Sequence, residues 1–285
     1  MADSLDAGDP AMPDREGGDA REGEDAHGDH RSVWPVVGAA GAAGLYVGLA
    51  LVVLAEAVDT VPAALGAVVA VGGVLGLVAG LLGWTDEAFL SGVQERTEDD
   101  ATRARYRTTM VVFLATDIAT FAAGFVYYFF VRALAWPPEH LPHLLSSLVA
   151  ANTAVLLASS VTLHYAHHAL SAGNYRRFVR LLGVTLAAGV VFLAGQVYEY
   201  YTFVVEEGFT LADGVFASAF FGLTGLHGFH VSLGVAMLAI LFVRARRGDY
   251  GPERDTSVAT VSLYWHFVDA VWLFLVAVVY VGAAV

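Results

Sequence analysis

Seven long apolar runs constrain this sequence more than any other feature, because each is long enough to cross a bilayer. They lie near residues 34–57, 61–84, 109–133, 144–169, 178–202, 215–243 and 258–284. A membrane-spanning helix needs about 20 apolar residues. None of the runs alternates apolar and polar residues as barrel strands do. The sequence therefore predicts an all-α integral membrane protein with seven transmembrane helices.

The composition agrees with a membrane protein and excludes several functions. Of the 285 residues, 57% are hydrophobic and 15% are charged, whereas a typical soluble domain is about 25% charged. Cysteine is absent, which excludes disulfides, iron–sulfur clusters and copper–thiolate sites. The net charge of −13 argues against a nucleic-acid partner, which requires a basic surface.

The first 32 residues differ from the rest of the chain. They carry ten acidic side chains, three arginines and no apolar run, so they cannot bury a core. We predict an acidic, disordered cytoplasmic tail over 1–32, followed by a seven-helix domain over 33–285. An acidic chain without lysine suits a high-salt cytoplasm or a GC-rich genome, and we favour the cell membrane of a halophilic prokaryote.

The distribution of arginine predicts the orientation in the membrane. Eleven arginines follow runs two, four and six, whereas only Arg132 lies near the opposite side. Basic residues are enriched in cytoplasmic loops. The N-terminus is therefore predicted inside the cell and the C-terminus outside.

The first two runs are rich in glycine at intervals of four residues. Gly44 and Gly48 have this spacing, as do Gly72, Gly76 and Gly80. Small residues four apart let two helix backbones approach closely. We expect these two helices to pack as a pair, although a merely Gly/Ala-rich composition gives the same spacing.

Nine ionisable side chains lie in or at the ends of the later runs, where a charge is costly and suggests a function. They are Asp117, His164, His167, His168, Glu199, His227, His230, His266 and Asp269. These nine are the candidates for buried polar groups that support proton transfer or contact lipid. Asp117, His230, His266 and Asp269 fall at similar depths, about 12–20 Å from the inner face at 1.5 Å per residue. They could form one polar network between helices.

The spacing of His164, His167 and His168 resembles one histidine box of membrane di-iron enzymes, and histidine is the commonest metal ligand. Those enzymes need more histidines at one depth than the six that the runs contain. We therefore expect no metal and no catalytic residue in this chain. Structural hydrogen bonding of the histidines is the favoured interpretation, and a proton relay is the alternative.

Two stretches are similar to subunit III of haem–copper oxidases of the cytochrome c oxidase type. Residues 224–231 read TGLHGFHV and residues 264–274 read YWHFVDAVWLF. Residues 152–168, 196–201 and 209–215 match further stretches in the same order, so the resemblance covers about residues 32–285. It departs from the family where Thr116-Asp117 replaces the usual Ser-Glu, and where His164 replaces a small residue.

The resemblance implies a subunit that carries no haem or copper itself and packs beside subunits I and II, which hold those cofactors. It implies a two-helix pair splayed from a five-helix bundle, with phospholipid in the cleft. It also implies that the chain supports proton uptake and prevents loss of activity while the complex reduces O₂ to water.

Other functions remain open at this stage. The equivalent subunit of a quinol oxidase or nitric oxide reductase would have a similar sequence. A free-standing di-iron membrane enzyme is disfavoured by the histidine count. A transporter or lipid-binding protein is a third possibility, but the seven unlike runs lack the repeated halves that many transporters have.

Overall fold

The computed structural model of the protein describes residues 32–57, 62–91, 99–138 and 141–284. These ranges contain seven helices that are long and apolar enough to cross a membrane, and they contain no β-strand. The predicted all-α, seven-span fold is therefore confirmed. The predicted acidic tail lies outside the described residues, except for Ser32.

The seven helices follow the predicted runs, with bounds that differ from the predicted ones by at most nine residues. They are α1 (Trp34–Ala57), α2 (Ala63–Thr85), α3 (Asp100–Leu134), α4 (Ser147–Ser171), α5 (Tyr175–Tyr201), α6 (Val215–Arg247) and α7 (Thr256–Leu275). Helices α2, α5 and α7 continue into π-helical turns at Asp86–Leu90, Thr202–Glu206 and Val276–Val281, and the last turn leads into a short helix, Gly282–Ala284.

Helix α3 begins nine residues before the apolar run that predicted it, because hydropathy detects only its apolar part. The Asp99 carboxylate accepts a hydrogen bond from the backbone N–H of Thr102 at 3.0 Å and caps the helix. Hydrogen bonds from Thr102 lower the pKa of Asp99, which keeps a negative charge at the positive end of the helix dipole. The cap allows the helix to start among charged residues.

The chain divides into two compact units. The first ends at Glu87 and contains α1 and α2, and the second begins at Ala88 and contains α3 to α7. Within the first unit, a Cβ atom on Gly41 or Gly48 would overlap the backbone of α2, and one on Gly73 or Gly80 would overlap that of α1. The predicted pairing of the first two runs is therefore confirmed. Gly72 was wrongly assigned to the contact, since a Cβ atom there meets nothing within 4 Å.

The second unit has an aromatic core in which α6 and α7 are the most buried helices. Trp265 and Trp272 on α7 are fully buried, and their indole N–H groups donate to Ser159 and Thr153 on α4, each at 2.9 Å. A buried indole needs such a partner. These bonds fix the register of α7 against α4, and so place the polar residues between the two helices.

Candidate functional site

Asp117 on α3 and His230 on α6 form a largely buried acid–imidazole pair. Asp117 Oδ2 lies 3.5 Å from His230 Nε2, and the two side chains are 13% and 9% exposed. The other ring nitrogen, Nδ1, lies 2.8 Å from the backbone carbonyl of Leu226. A carbonyl only accepts hydrogen bonds, so Nδ1 carries a proton. Nε2 faces the Asp117 carboxyl, whose Oδ2 is buried and has no hydrogen-bond partner among the described residues.

The surroundings of His230 hold the ring in place. Phe121 on α3 packs against it with the ring centroids 5.0 Å apart. Tyr264 on α7 donates a hydrogen bond to the backbone carbonyl of His230 at 3.0 Å. The pair is therefore supported from both α3 and α7.

A second polar group joins α4 to α7. Ser160 Oγ lies 2.8 Å from His266 Nδ1 and also contacts Asp269 Oδ2. Asp269 is buried, and its Oδ1 has no hydrogen-bond partner among the described residues. His266 is exposed on the surface of the bundle. The four residues expected at one depth therefore form two separate groups. Asp117 contacts His230, whereas His266 and Asp269 both contact Ser160. No hydrogen bond or ion pair among the described residues joins the two groups.

Glu199 on α5 forms a third buried polar group. Its Oε2 accepts hydrogen bonds from Gln196 Nε2 at 2.6 Å and from Tyr280 O–H at 3.1 Å. Its Oε1 and the Gln196 Oε1 are buried and have no partner in the described part of the chain. The π-helical turn after α7 brings Tyr280 to this carboxyl.

His227 is fully buried and is held by aromatic contacts. Its ring stacks on Trp272 at 5.1 Å, and Phe192 meets it edge-on at 6.2 Å. Neither ring nitrogen has a hydrogen-bond partner among the residues that the structure describes. The residue therefore fills the aromatic core between α5, α6 and α7.

The three histidines of α4 do not converge on one point. His167 Nε2 lies 2.9 Å from Asp255 Oδ2, whereas His164 and His168 are exposed. Asp255 also lies 3.6 Å from Arg103 on α3. Within the described ranges, no three His, Cys, Asp or Glu side chains are placed to hold a metal ion.

Sequence reasoning missed the partners of the ionisable residues. Ser160, Tyr280 and Asp255 lie 106, 81 and 88 positions from His266, Glu199 and His167. Their residue types are ordinary in such segments, and only the helix packing makes them neighbours. No local sequence signal identified them.

Comparisons with known proteins agree with this architecture. The family model for cytochrome c oxidase subunit III matches residues 26–284. The cytochrome c oxidase subunit 3 of the fish Formosania lacustris is 34% identical over 267 residues, which cover 90% of this chain and 97% of that protein. That of Danio rerio is 33% identical with the same coverage, and that of the sea urchin Paracentrotus lividus is 31% identical over 88% of this chain and 94% of its own length. The chain therefore belongs to the cytochrome c oxidase subunit III family.

Proposed function

We propose that this chain is the non-catalytic subunit III of a haem–copper terminal oxidase of the cytochrome c oxidase type, assembled with subunits I and II. The oxidase reduces O₂ to water, and its haem and copper belong to the partner subunits. The match along nearly the whole length of chains named cytochrome c oxidase subunit 3 supports this assignment. Those names favour it over a quinol oxidase or nitric oxide reductase subunit.

The role of the chain in this complex is to support proton uptake and the stability of the catalytic subunit during turnover. The observation that carries this role is the Asp117–His230 pair, which lies within the membrane-spanning part of α3 and α6. A carboxyl and an imidazole that face each other within the membrane are the side-chain types that can take up and release protons. In the alternative role the pair acts only as a polar contact between α3 and α6.

The proposal includes the membrane setting. The arginine distribution supports an N-terminus inside and a C-terminus outside, and the acidic, lysine-free composition supports the cell membrane of a halophilic prokaryote, although the relatives named above are animal proteins. Bound phospholipid is supported by an apolar cavity of about 460 Å³ on α1 and α2, which Trp34, Leu77, Leu81 and Trp84 help to line. An acyl chain would fill such a cavity.

The assignment is tested by purifying the protein in mild detergent from its own membranes. We expect co-purifying chains with the masses of oxidase subunits, and a reduced-minus-oxidised spectrum with haem bands. Recovery of the chain without any haem-containing partner would overturn the assignment. A partner that oxidises quinol and not a soluble donor would move the chain to the quinol oxidase branch.

A further inference from the structure

Two buried oxygen atoms on α5 lack a hydrogen-bond donor. Gln196 Nε2 donates to Glu199 Oε2 at 2.6 Å, so an amide and a carboxyl one turn apart are already joined by one bond. Gln196 Oε1 and Glu199 Oε1 lie on these same two planar groups, and both are buried without a partner among the described residues. An amide oxygen and a carboxylate oxygen only accept hydrogen bonds. If Glu199 were ionised, both oxygens would stay unsatisfied in the protein interior, which costs free energy.

The neighbouring hydroxyl groups supply no donor to these oxygens. The Tyr280 O–H donates to Glu199 Oε2 at 3.1 Å. The Thr224 hydroxyl donates to the Phe220 carbonyl at 2.7 Å, so the Tyr200 O–H is the donor in the 2.6 Å contact between Tyr200 and Thr224. A hydroxyl has one proton to donate, and each of these three already uses it.

Glu199 also lacks a compensating charge within the described residues. The polar side chains around it are uncharged, namely Gln196 and Tyr200 on α5, Tyr280 after α7 and, through Tyr200, Thr224 on α6. No ion pair among the described residues includes Glu199. It lies seven residues before Glu206, the end of its membrane-spanning segment, which is about 10 Å at 1.5 Å per residue. A carboxylate without an ion pair is costly at such a depth.

We propose that Glu199 is a proton-binding site, held as a neutral carboxylic acid in a ring of two hydrogen bonds with Gln196. A proton on Glu199 Oε1 turns that atom into a donor, and it donates to Gln196 Oε1. Gln196 Nε2 donates back to Glu199 Oε2, which also accepts from Tyr280. One proton thus satisfies both remaining oxygens and removes the charge.

The bound proton also supports a contact between two elements. Tyr280 belongs to the π-helical turn Val276–Val281 after α7, whereas Glu199 belongs to α5. Loss of the proton would leave a charge beside Tyr280, which packs against the rings of Phe220 and Trp272. We therefore expect this contact to weaken as the pH rises. The site concerns the chain alone and does not depend on the proposed function.

The infrared spectrum of the full chain in detergent tests whether the proton is present. At neutral pH we expect a C=O stretching band of a carboxylic acid that moves to lower frequency in D₂O and is lost in Glu199→Gln. Glu206→Gln is the matched control, since Glu206 is exposed in the same membrane-spanning segment, and it should keep the band. Identical carboxylic acid bands in the original chain and in Glu199→Gln would overturn the proposal.

Isotope labelling makes the same test without a substitution. Glutamate that carries ¹³C in its side-chain carboxyl lowers the frequency of a glutamic acid band and leaves aspartic acid bands unchanged. We expect a carboxylic acid band of the labelled chain to move in this way. Absence of such a band would mean that Glu199 is ionised, with a water molecule or a cation at Oε1, and would overturn the proposal.

The pH dependence of melting measures what the proton contributes. A carboxyl that is protonated in the folded chain and ionised in the unfolded chain loses stability as the pH rises. The side chain introduced by Glu199→Gln can form the same two bonds with Gln196 and does not titrate. From neutral to alkaline pH, we therefore expect the melting temperatures of the original chain and of Glu206→Gln to fall relative to that of Glu199→Gln. Melting temperatures that change in parallel for all three would overturn the proposal.

These measurements are separate from the test of the proposed function. They use the chain in detergent without any partner, so failure to co-purify with oxidase subunits would overturn the subunit assignment and leave the proton-binding site standing. Loss of the infrared band with intact co-purification would do the reverse.

Discussion

His230 bonds the carbonyl of Leu226 through Nδ1 and faces Asp117 through Nε2 at 3.5 Å. The first contact places a proton on Nδ1, because a carbonyl only accepts hydrogen bonds, and the second places the other ring nitrogen beside the carboxyl. Aspartate is one methylene shorter than the glutamate that the resemblance led us to expect, yet its carboxyl reaches α6. The departure at residue 117 thus keeps a carboxyl beside an imidazole.

Substitution of Asp117 separates its two possible roles. Asp117→Asn keeps the size and the hydrogen-bonding capacity but removes titration, whereas Asp117→Leu removes both. We expect the Asn variant to assemble with the complex and to lose activity sooner under sustained turnover. We expect the Leu variant to weaken the contact between α3 and α6 by roughly 1–2 kcal/mol and to reduce the subunit III that is retained. Activity is followed over successive turnovers, and subunit content is measured by mass.

Two results would contradict this interpretation. An assembled Asn variant with unchanged turnover and lifetime excludes the proton role. An equally stable and active Leu variant excludes the structural role as well.

The glycine contact between α1 and α2 predicts a strong difference between neighbouring positions. A Cβ atom at Gly73 would overlap the backbone of Gly44 and Leu45, whereas a Cβ atom at Gly72 meets nothing within 4 Å. We expect Gly73→Val to destabilise the helix pair by about 1–3 kcal/mol, as overpacking does, and Gly72→Val to be tolerated. Thermal loss of helical circular dichroism in detergent gives the comparison. Equal melting curves for the two variants would show that the close approach does not stabilise the pair.

The predicted orientation is tested by labelling. Glu206 and Arg246 are exposed at opposite ends of the long helices, and the absence of native cysteine keeps the background clean. We expect Glu206→Cys to react with an impermeant thiol reagent in intact cells, and Arg246→Cys to react only after permeabilisation. Reaction of both from the outside would contradict the seven-span topology, and the reverse pattern would invert the orientation.

The Glu199 group predicts a moderate effect on stability. Tyr280→Phe removes one of the two donors to Glu199 Oε2 and leaves the bond from Gln196. We expect a loss of about 1 kcal/mol in the free energy of unfolding, because one buried hydrogen bond is lost without creating a cavity. Tyr198→Phe is the control, since Tyr198 is 58% exposed on the same helix as Glu199. The predicted contribution is absent if both variants melt alike.

The isolated chain is expected to bind no haem, copper or iron. It lacks cysteine, and its histidines are spread over several contacts within the described ranges. Metal analysis and an absorption spectrum of the protein purified without partners provide the measurement. Stoichiometric metal with a spectrum that depends on a histidine would disprove this expectation.

The lengths of the apolar runs located all seven helices, because an apolar run can be recognised from consecutive residues of the sequence alone. The start of α3 at Asp100 was missed because a cap, not hydropathy, decides where that helix begins. Asp117 and His230 belong to the four residues that were expected to form one polar network. Which of the four contact each other depends on which faces of α3, α4, α6 and α7 meet, and the sequence does not show this. Ser160 illustrates this limit, since a serine in an apolar helix is common and gains its importance only from the packing of His266 against it.

The length of α3 has a mechanical consequence. Between Asp100 and Asp117 the helix contains no glycine or proline, so Arg103 and Asp117 sit on one stiff rod, about 21 Å apart at 1.5 Å per residue. Arg103 forms an ion pair with Asp255, which also contacts His167, and Asp117 faces His230. A tilt of α3 that separates Asp117 from His230 therefore also moves Arg103, so the Arg103–Asp255 ion pair and the buried Asp117–His230 pair change together.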